Sequence, residues 1–556
     1  MERLNQNHHG RETIYLINDG SYNNSGRIRS AGNILRSVEE FINRNVLSLV
    51  SETAPLRLTS DNTAFRFGRM FTPTTLEPVD TAHLFTLGKA MIQMATPDPP
   101  DNSKTFAGYT FLGQFISHDM SFDEHASVLP LNMEDLVTLR SKRAPTLELD
   151  SLYGRFPGSN NEDVFDSELY QPDKRRFKLD RTDRDVGKPD AIFDLENDLP
   201  RKNRFAVIGD ARNDENLAIA QMHVAFLRFH NAVIDFLEKK LITEDKLFIT
   251  AREIVIKYYQ AIILHDFLPR IVDPNILSDV IKWARTKNQQ QLKWLDDTVA
   301  PFIPVEFSAA AFRFGHSVLQ DAYDWNRIFN SLTDETGTFL NLFVFTGLGQ
   351  LKGRQHLTGS WAIDWRRFFD FTKYGIQTVK INTSRKIDTN LADTLRQLQE
   401  FILAEPSIPI PHQNLASRNL IRGRALSLPS GEDVATQLRK DGKLNEKPVL
   451  TPEQIADGPH REILNKHFKE DTPLWYYILK EAEKIGEGHH LGTVGSYIVA
   501  ETLVKLIQRS DISIFDDQWN PQFSIIAGKN PMDGFEMADL IKFADSDTQP
   551  LINPLG

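Results

Sequence analysis

The sequence predicts a mainly α protein, one large helical domain with little β structure. Apolar residues recur at three- and four-residue spacing from Thr81 onward, and Pro-, Gly- and Asp-rich connections separate the stretches that carry the pattern. Phe111, Phe115 and Met120 mark one helix; Met222, Phe226, Phe229, Val233 and Phe236 mark another. The same spacing predicts helices over 252–271, 309–318, 391–403, 473–484 and 492–509. Residues 1–80 mix Asn, Ser, Arg and Pro around a short amphipathic piece at 34–50, and read as an N-terminal arm wrapping a body at 81–545, with 546–556 as a C-terminal tail. Two connections, 121–204 and 321–385, are longer than structureless loops in compact domains usually are, which marks them as functional or partly structured.

A chain of 556 residues can bury a full core and a cofactor cavity. Its 40% hydrophobic and 25% charged residues are ordinary globular proportions, and the net charge of −11 comes without a basic block, which argues against nucleic acid as a partner. The absence of cysteine excludes disulfides, thiolate nucleophiles, thiolate-ligated haem and iron–sulfur clusters, so any iron must be held by nitrogen or oxygen. The polar N-terminus lacks the apolar run of a secretory signal, and no stretch approaches about twenty consecutive apolar residues. The expectation is a soluble protein, cytoplasmic or exported without a classical signal peptide, with no membrane span.

Four segments carry chemistry. In FLGQFISHD (111–119), Gln114 and His118 stand at i and i+4, on one helical face, while Asp119 points roughly 100° away. An imidazole and an amide over one pocket suit acid–base work on a small polar substrate, although a lone histidine is more often a buried, hydrogen-bonded core residue. In FAVIGDARNDEN (205–216), a Gly-Asp turn leads into a helix start with acids in its first turn, presenting Arg212 at the entrance as a fixed cation or as the partner of Asp210 or Asp214. His223 and His230, seven residues apart on the following helix, read as packed core residues because that spacing is too long for one metal. In AAAFRFGHSVL (309–319), Gly315 would let a flat macrocycle approach the helix backbone beside His316, whose ring nitrogen can ligate iron. In LASRNLIRGR (415–424), Asn419 and Arg422 share a face if the stretch is helical, and such an Asn can accept the second ring N–H of a ligating histidine.

In this order and at these spacings, the four segments resemble the animal haem peroxidase (cyclooxygenase and myeloperoxidase) superfamily from about residue 80 to about residue 510. The resemblance implies a haem peroxidase domain with the haem between central helices, reducing hydrogen peroxide through a ferryl intermediate and oxidising a small organic or halide donor. It implies Gln114 and His118 on the distal helix, Arg212 as the distal arginine, His316 as the proximal iron ligand and Asn419 orienting it. Arg422 would pair with a haem propionate, and Arg313 would lie near the proximal face. It also implies a calcium ion held by Asp119 and by the loop APTLELDSLYG (144–154), through Thr146, Asp150, the Glu148 carbonyl and Ser151 or the Leu152 carbonyl, oxygen donors of the kind calcium takes. A plain capped turn is the alternative for that loop.

The chain also departs from the family's pattern. Mammalian members tie haem b through two esters. Glu215 is kept but Ser117 stands at the second position, and Asn216 replaces the Met of a sulfonium link, so at most one ester, through Glu215, is expected. The fatty-acid dioxygenases of the superfamily need a tyrosine three residues before the proximal histidine; that residue is Arg313, which favours peroxidase chemistry. A haem-free adhesion module on the same fold would require loss of His118, Arg212 or His316, and all three are present.

Overall fold

A computed structural model describes the chain from residue 65 to residue 556 except for 73–79, 93–101, 123–138, 142, 155–165, 241, 287–291, 293–300, 334, 348, 377–378, 397–412, 445–446, 470, 516–518 and 527–528. The amphipathic piece expected at 34–50 therefore lies outside the described residues. The fold is mainly helical, as the apolar spacing predicts. The longer helices are α1 (Thr81–Met91), α2 (Gly108–Met120), α3 (Leu217–Glu238), α4 (Glu244–Ile262), α5 (Pro274–Arg285), α6 (Leu415–Ala425), α7 (Gly431–Lys440), α8 (Leu474–Lys484), α9 (Thr493–Gln508) and α10 (Met537–Ala544). Four short strands matter to the site's surroundings: β1 (Phe65–Gly68), β2 (Asn102–Phe106), β3 (Phe302–Pro304) and β4 (Thr383–Arg385).

Helix α3 is the axis of the core. Asn216 caps it by accepting from the Ile219 N–H, and most of its side chains are buried, against α2, α4 and α10 among others. Its composition is apolar enough to cross a membrane, but 89% of its most apolar window is buried inside the protein, as befits a core helix hydrophobic nearly all round. Phe115 of α2 stacks on Phe226 of α3 with ring centroids 4.6 Å apart, which fixes the two helices against each other. The acids Glu244 and Asp245 open α4, and the helix runs on through a π-turn, Ile263–Phe267, into Leu268–Ile271, so the helix predicted at 252–271 is one run with a bulge.

Two predicted helices differ. The run at 309–318 is not one α-helix: a short turn, Val305–Ala309, breaks at Ala310 (φ −132°, ψ −74°), and Ala311–His316 continues as a 3-10 helix. Tertiary hydrogen bonds hold the break, with Arg313 Nε donating to the Ser308 carbonyl (3.1 Å) and Trp475 Nε1 of α8 to the Arg313 carbonyl (3.2 Å). Of 391–403, the described part holds only a 3-10 turn, Asp393–Leu395.

Both ends of the described chain are stitched to the body. β1 pairs in parallel with β3, and the Glu306 carboxylate accepts from the Met70 and Phe71 N–H groups. Residues 546–556, expected as a tail, bury Leu551, Ile552 and Leu555, and the Ile552 carbonyl accepts from the Trp365 N–H. The long connection 321–385 is packed by aromatics: Trp361 stacks between Phe329 and Phe345 at 4.0 and 4.3 Å.

One buried carboxyl makes stability depend on pH. Glu481 Oε2 accepts from the Val494 and Gly495 N–H groups at the start of α9, yet burial pushes the carboxyl up to about 8. Because the folded state holds this proton more tightly, the contribution is present below about pH 4.5 and is lost as pH rises towards about pH 8. In thermal melts, Glu481→Gln is therefore expected to match the native chain in acid and to gain on it steadily up to about pH 8; parallel curves for the two would refute this.

Candidate functional site

The sequence-predicted residues converge on one cavity of ≈1030 Å³, its open mouth included, lying between α2, the 3-10 segment Ala311–His316 and the β2–β4 ribbon. The cavity face of α2 is a stripe at helical spacing, Tyr109, Gly113, Gln114, Ser117 and His118, with Ser121 just past its end. Arg313, Gly315 and His316 come from the 3-10 segment. His118 and His316 thus line the same space from different walls.

His118 is buried and its tautomer is set by its neighbour. Asn213 Oδ1, an acceptor only, takes the His118 Nδ1–H at 2.8 Å, while Asn213 Nδ2 donates to His223 Nδ1 at 2.9 Å. That leaves the His118 lone pair on Nε2, the nitrogen able to accept a proton. Gln114 is held in turn by Asn216, whose Nδ2 donates to its Oε1 at 3.1 Å. His223 and His230 are core residues: burial pushes them down to about 3 and about 4, and His230 bonds the Tyr153 hydroxyl and the Arg175 carbonyl.

Arg212 does not face the cavity. Its Nη2 donates to the His118 carbonyl and the Ser121 carbonyl, both at 2.9 Å, and to Asp210 Oδ2 at 2.7 Å, while Nε bonds Asp210 Oδ1. The physical reason is the C-terminal end of α2, whose last carbonyls lack helical partners and take a cationic donor in their place. Asp210 fixes that donor. Burial alone would raise its carboxyl, but Arg212 and Arg143 override it and hold Asp210 well below the usual carboxylate range. Asp210→Asn leaves two buried guanidinium groups without their counter-charge and is expected to cost about 3–5 kcal/mol in chemical unfolding, and a loss under about 1 kcal/mol would contradict the clamp. Since the native carboxyl is depressed, this contribution is present above the unfolded pKa and fades as pH falls below it.

On the other wall, Asn419 of α6 reaches His316, with Nδ2 2.8 Å from Nδ1, so the stretch is helical and the expected contact exists. Its polarity is reversed. Arg313 Nη1, a donor only, holds Asn419 Oδ1 at 2.5 Å, which turns the amide nitrogen towards His316; accepting a ring N–H requires the amide to turn and release Arg313. Arg422 and Glu215 are both buried and neither lines the cavity; Arg422 lines a small neighbouring hollow with Arg313, Ser308 and Leu426. That hollow shares Ser308 and Arg313 with the cavity lining.

Behind α2, Asp119 binds the loop expected to hold calcium. Its Oδ2 accepts from the Leu149 N–H (3.0 Å) and its Oδ1 from the Ser151 N–H and hydroxyl (both 3.2 Å). Burial, and then the nearby Asp150 charge, raise Asp119 to about 7. Thr146 Oγ1 is buried without a hydrogen bond, whereas the Glu148 carboxylate is engaged by Arg252 and the Asp511 N–H, leaving only its carbonyl as a donor to a cation. Among the described residues no three His, Asp or Glu side chains gather around a metal position. The residue types named for calcium, two carboxylates with Thr146, Ser151 and main-chain carbonyls, are hard oxygen donors of the kind that ion takes, and Asp150 lies near enough to Asp119 to raise its carboxyl.

The cavity fits a haem. A Cβ built at Gly315 would meet nothing within 4 Å, so the backbone beside His316 is open to a flat ligand, and Phe307, Phe312, Phe314, Val318 and Leu319 give an apolar flank. The sequence reading missed Tyr109, Ser103, Thr105, Ser384, Arg385 and His489, which also line the cavity.

The profile of the family described as animal haem peroxidase matches residues 173–512. A peroxidase-like protein of Margaritifera margaritifera is 28% identical over 251 residues, which are 42% of this chain and 28% of that protein, so the matched part spans under a third of the relative's length. Among solved structures, peroxidase A of Dictyostelium discoideum superposes with a TM-score of 0.52 at 16% identity, covering 88% of this chain and 96% of that one. A fatty acid alpha-dioxygenase of Arabidopsis thaliana gives 0.53 at 12% identity, covering 96% and 83%. At these identities the solved structures speak to the fold.

Proposed function

Because the chain belongs to the animal haem peroxidase family, we propose that it is a haem peroxidase that reduces hydrogen peroxide and oxidises a small organic or halide donor. The observation that carries this reading is that His118 of α2 and His316 of the 3-10 segment line one cavity. Haem b, held by His316, would supply an iron able to exchange electrons with peroxide and donor.

The chain's own residues do the rest. His316 would hold the iron through one ring nitrogen, with Asn419, its amide turned and released from Arg313, accepting the N–H of the other. From the other side, His118 Nε2 takes a proton from one peroxide oxygen and returns it to the other, which leaves as water; Asn213 keeps the required tautomer. Gln114, braced by Asn216, positions a water or halide. Arg212 acts at one remove, by fixing the main chain that carries His118, and a calcium ion held by Asp119, Asp150, Thr146, Ser151 and the Glu148 carbonyl would lock the same turn from behind.

An absorption spectrum with and without peroxide tests the proposal. Haem uptake, a Soret shift on mixing and peroxide-dependent dye oxidation are expected; a haem-loaded chain inert to peroxide would overturn it. With Glu215 away from the cavity wall and Ser117 where the family's second ester acid stands, acidified organic solvent is expected to extract the haem completely. Retained pigment would restore an ester through Glu215. Arg313, placed three residues before His316, argues against fatty-acid dioxygenase chemistry, which oxygen uptake with linoleate would reveal.

A further inference from the structure

Two tyrosines donate their hydroxyls to buried carboxylates, one at the cavity and one at the surface. Tyr109, near the start of α2, lines the cavity and gives its phenolic hydrogen to Asp266 Oδ1 at 2.7 Å. Asp266 stands in the π-turn, a distortion that recurs at functional sites. Tyr374 ends a 3-10 turn, Thr372–Tyr374, with 37% of its surface exposed, and gives its hydroxyl to Asp539 Oδ1.

The two carboxylates belong to one network. Asp266 Oδ2 accepts from the N–H of Met537, the first residue of α10, and Asp539 follows in the same turn of that helix. Arg270 spans from Asp266 Oδ1 (3.0 Å) to Glu536 Oε1 (4.0 Å), and Lys373 spans from Glu536 Oε2 to Asp539 Oδ1, both at 2.6 Å. Beside this chain of charges, Phe369 meets the Tyr109 ring edge-on at 5.1 Å and belongs to the segment that leads into Tyr374. Outside, Tyr374 and Lys373 line a hollow of ≈620 Å³, its open mouth included, whose lining also holds Tyr258 and Phe535 with ring centroids 4.4 Å apart. Half-exposed ion pairs such as those of Arg270 and Lys373 contribute little to stability, so the network is better explained by what it connects.

A phenol that loses an electron becomes a strong acid, so its oxidation is easy only where the proton has somewhere to go. Asp266 and Asp539 are each placed to take that proton and to return it afterwards. We propose that Tyr374 is a surface oxidation site, at which a phenolic group carried on a molecule too large for the cavity loses one electron, passed inward through Tyr109. The proposal rests on the haem peroxidase reading above, because hydrogen peroxide acting at the haem is the oxidant. Tyr109 gives an electron to the haem and its proton to Asp266, then recovers both when Tyr374 supplies an electron and passes its own proton to Asp539. The donor's phenol reduces Tyr374, Asp539 returns the proton, and the donor's proton goes to solvent. For each peroxide, two phenols give up two electrons and two protons, and two waters form. A tyrosine radical oxidises only groups about as readily oxidised as tyrosine, which selects phenols here and excludes halides.

The test treats the haem-loaded chain with peroxide and the spin trap tert-nitrosobutane, and locates the trapped radical by mass spectrometry. The native chain is expected to carry the adduct on Tyr374, and Tyr109→Phe to lose it. Two donors are then compared: guaiacol, small enough for the cavity, and tyramine coupled to high-molecular-weight dextran. Tyr374→Phe is expected to oxidise guaiacol at the native rate and the dextran conjugate roughly tenfold or more slowly, while Tyr374→Trp, which restores an oxidisable ring, recovers part of the loss. A native rate on the conjugate in Tyr374→Phe, an adduct on Tyr374 that survives Tyr109→Phe, or no adduct there in a native chain that oxidises guaiacol overturns the proposal. A haem-loaded native chain that leaves guaiacol untouched sinks the peroxidase reading itself, and this one with it.

Discussion

Replacing His316 by alanine is expected to cost the chain its haem. The imidazole is the histidine that the 3-10 segment contributes to the cavity, and the phenylalanines beside it, Phe312 and Phe314, offer no substitute donor. Losing a group that merely orients a ligand lowers affinity roughly 10–100-fold, the range expected for Asn419→Ala; losing the ligand itself must exceed that. Soret titration separates the two, because the Asn419 variant retains a histidine-ligated spectrum at saturating haem and the His316 variant does not. Normal five-coordinate haem in His316→Ala would remove the residue from the iron and, with it, the proposed orientation of the whole cavity.

The second large effect belongs to His118→Ala, in which haem uptake is preserved and the reaction with peroxide slows by roughly 10²–10⁴-fold, the usual worth of a positioned acid–base group. Stopped-flow mixing measures it directly. Asn213→Ala is expected to lie between the two, since it leaves the imidazole in place and removes the acceptor that fixes its tautomer. An unchanged rate in His118→Ala would move the proton transfer to another group, for which Gln114 is unsuited because an amide does not titrate.

What could be read from residue order was whatever a single element encodes. Gln114 and His118 share a face because four residues make about one helical turn, and the structure keeps them together. Asn419 meets His316 from helix α6, a stretch whose helicity the sequence reading left as a condition. Arg212 was open in the sequence between a cavity cation and a partner of Asp210 or Asp214; the structure shows the Asp210 pair, and the carbonyls of His118 and Ser121 that it also holds lie too far off in the chain to be read from local spacing. The break at Ala310 has the same origin, in hydrogen bonds to Ser308 and from Trp475 of α8. Arg385, His489 and Ser103 carried no signal at all, since strands distant in the chain bring them together and none stands in a recognisable spacing with another.

Helix α2 is fastened at both ends: Tyr109 donates its hydroxyl to the buried Asp266 at 2.7 Å, with Arg270 over the ring, and Arg212 grips the opposite end. The proton-handling side of the cavity is thus a beam clamped at two supports, on which small sequence changes have little room to act without unseating the base.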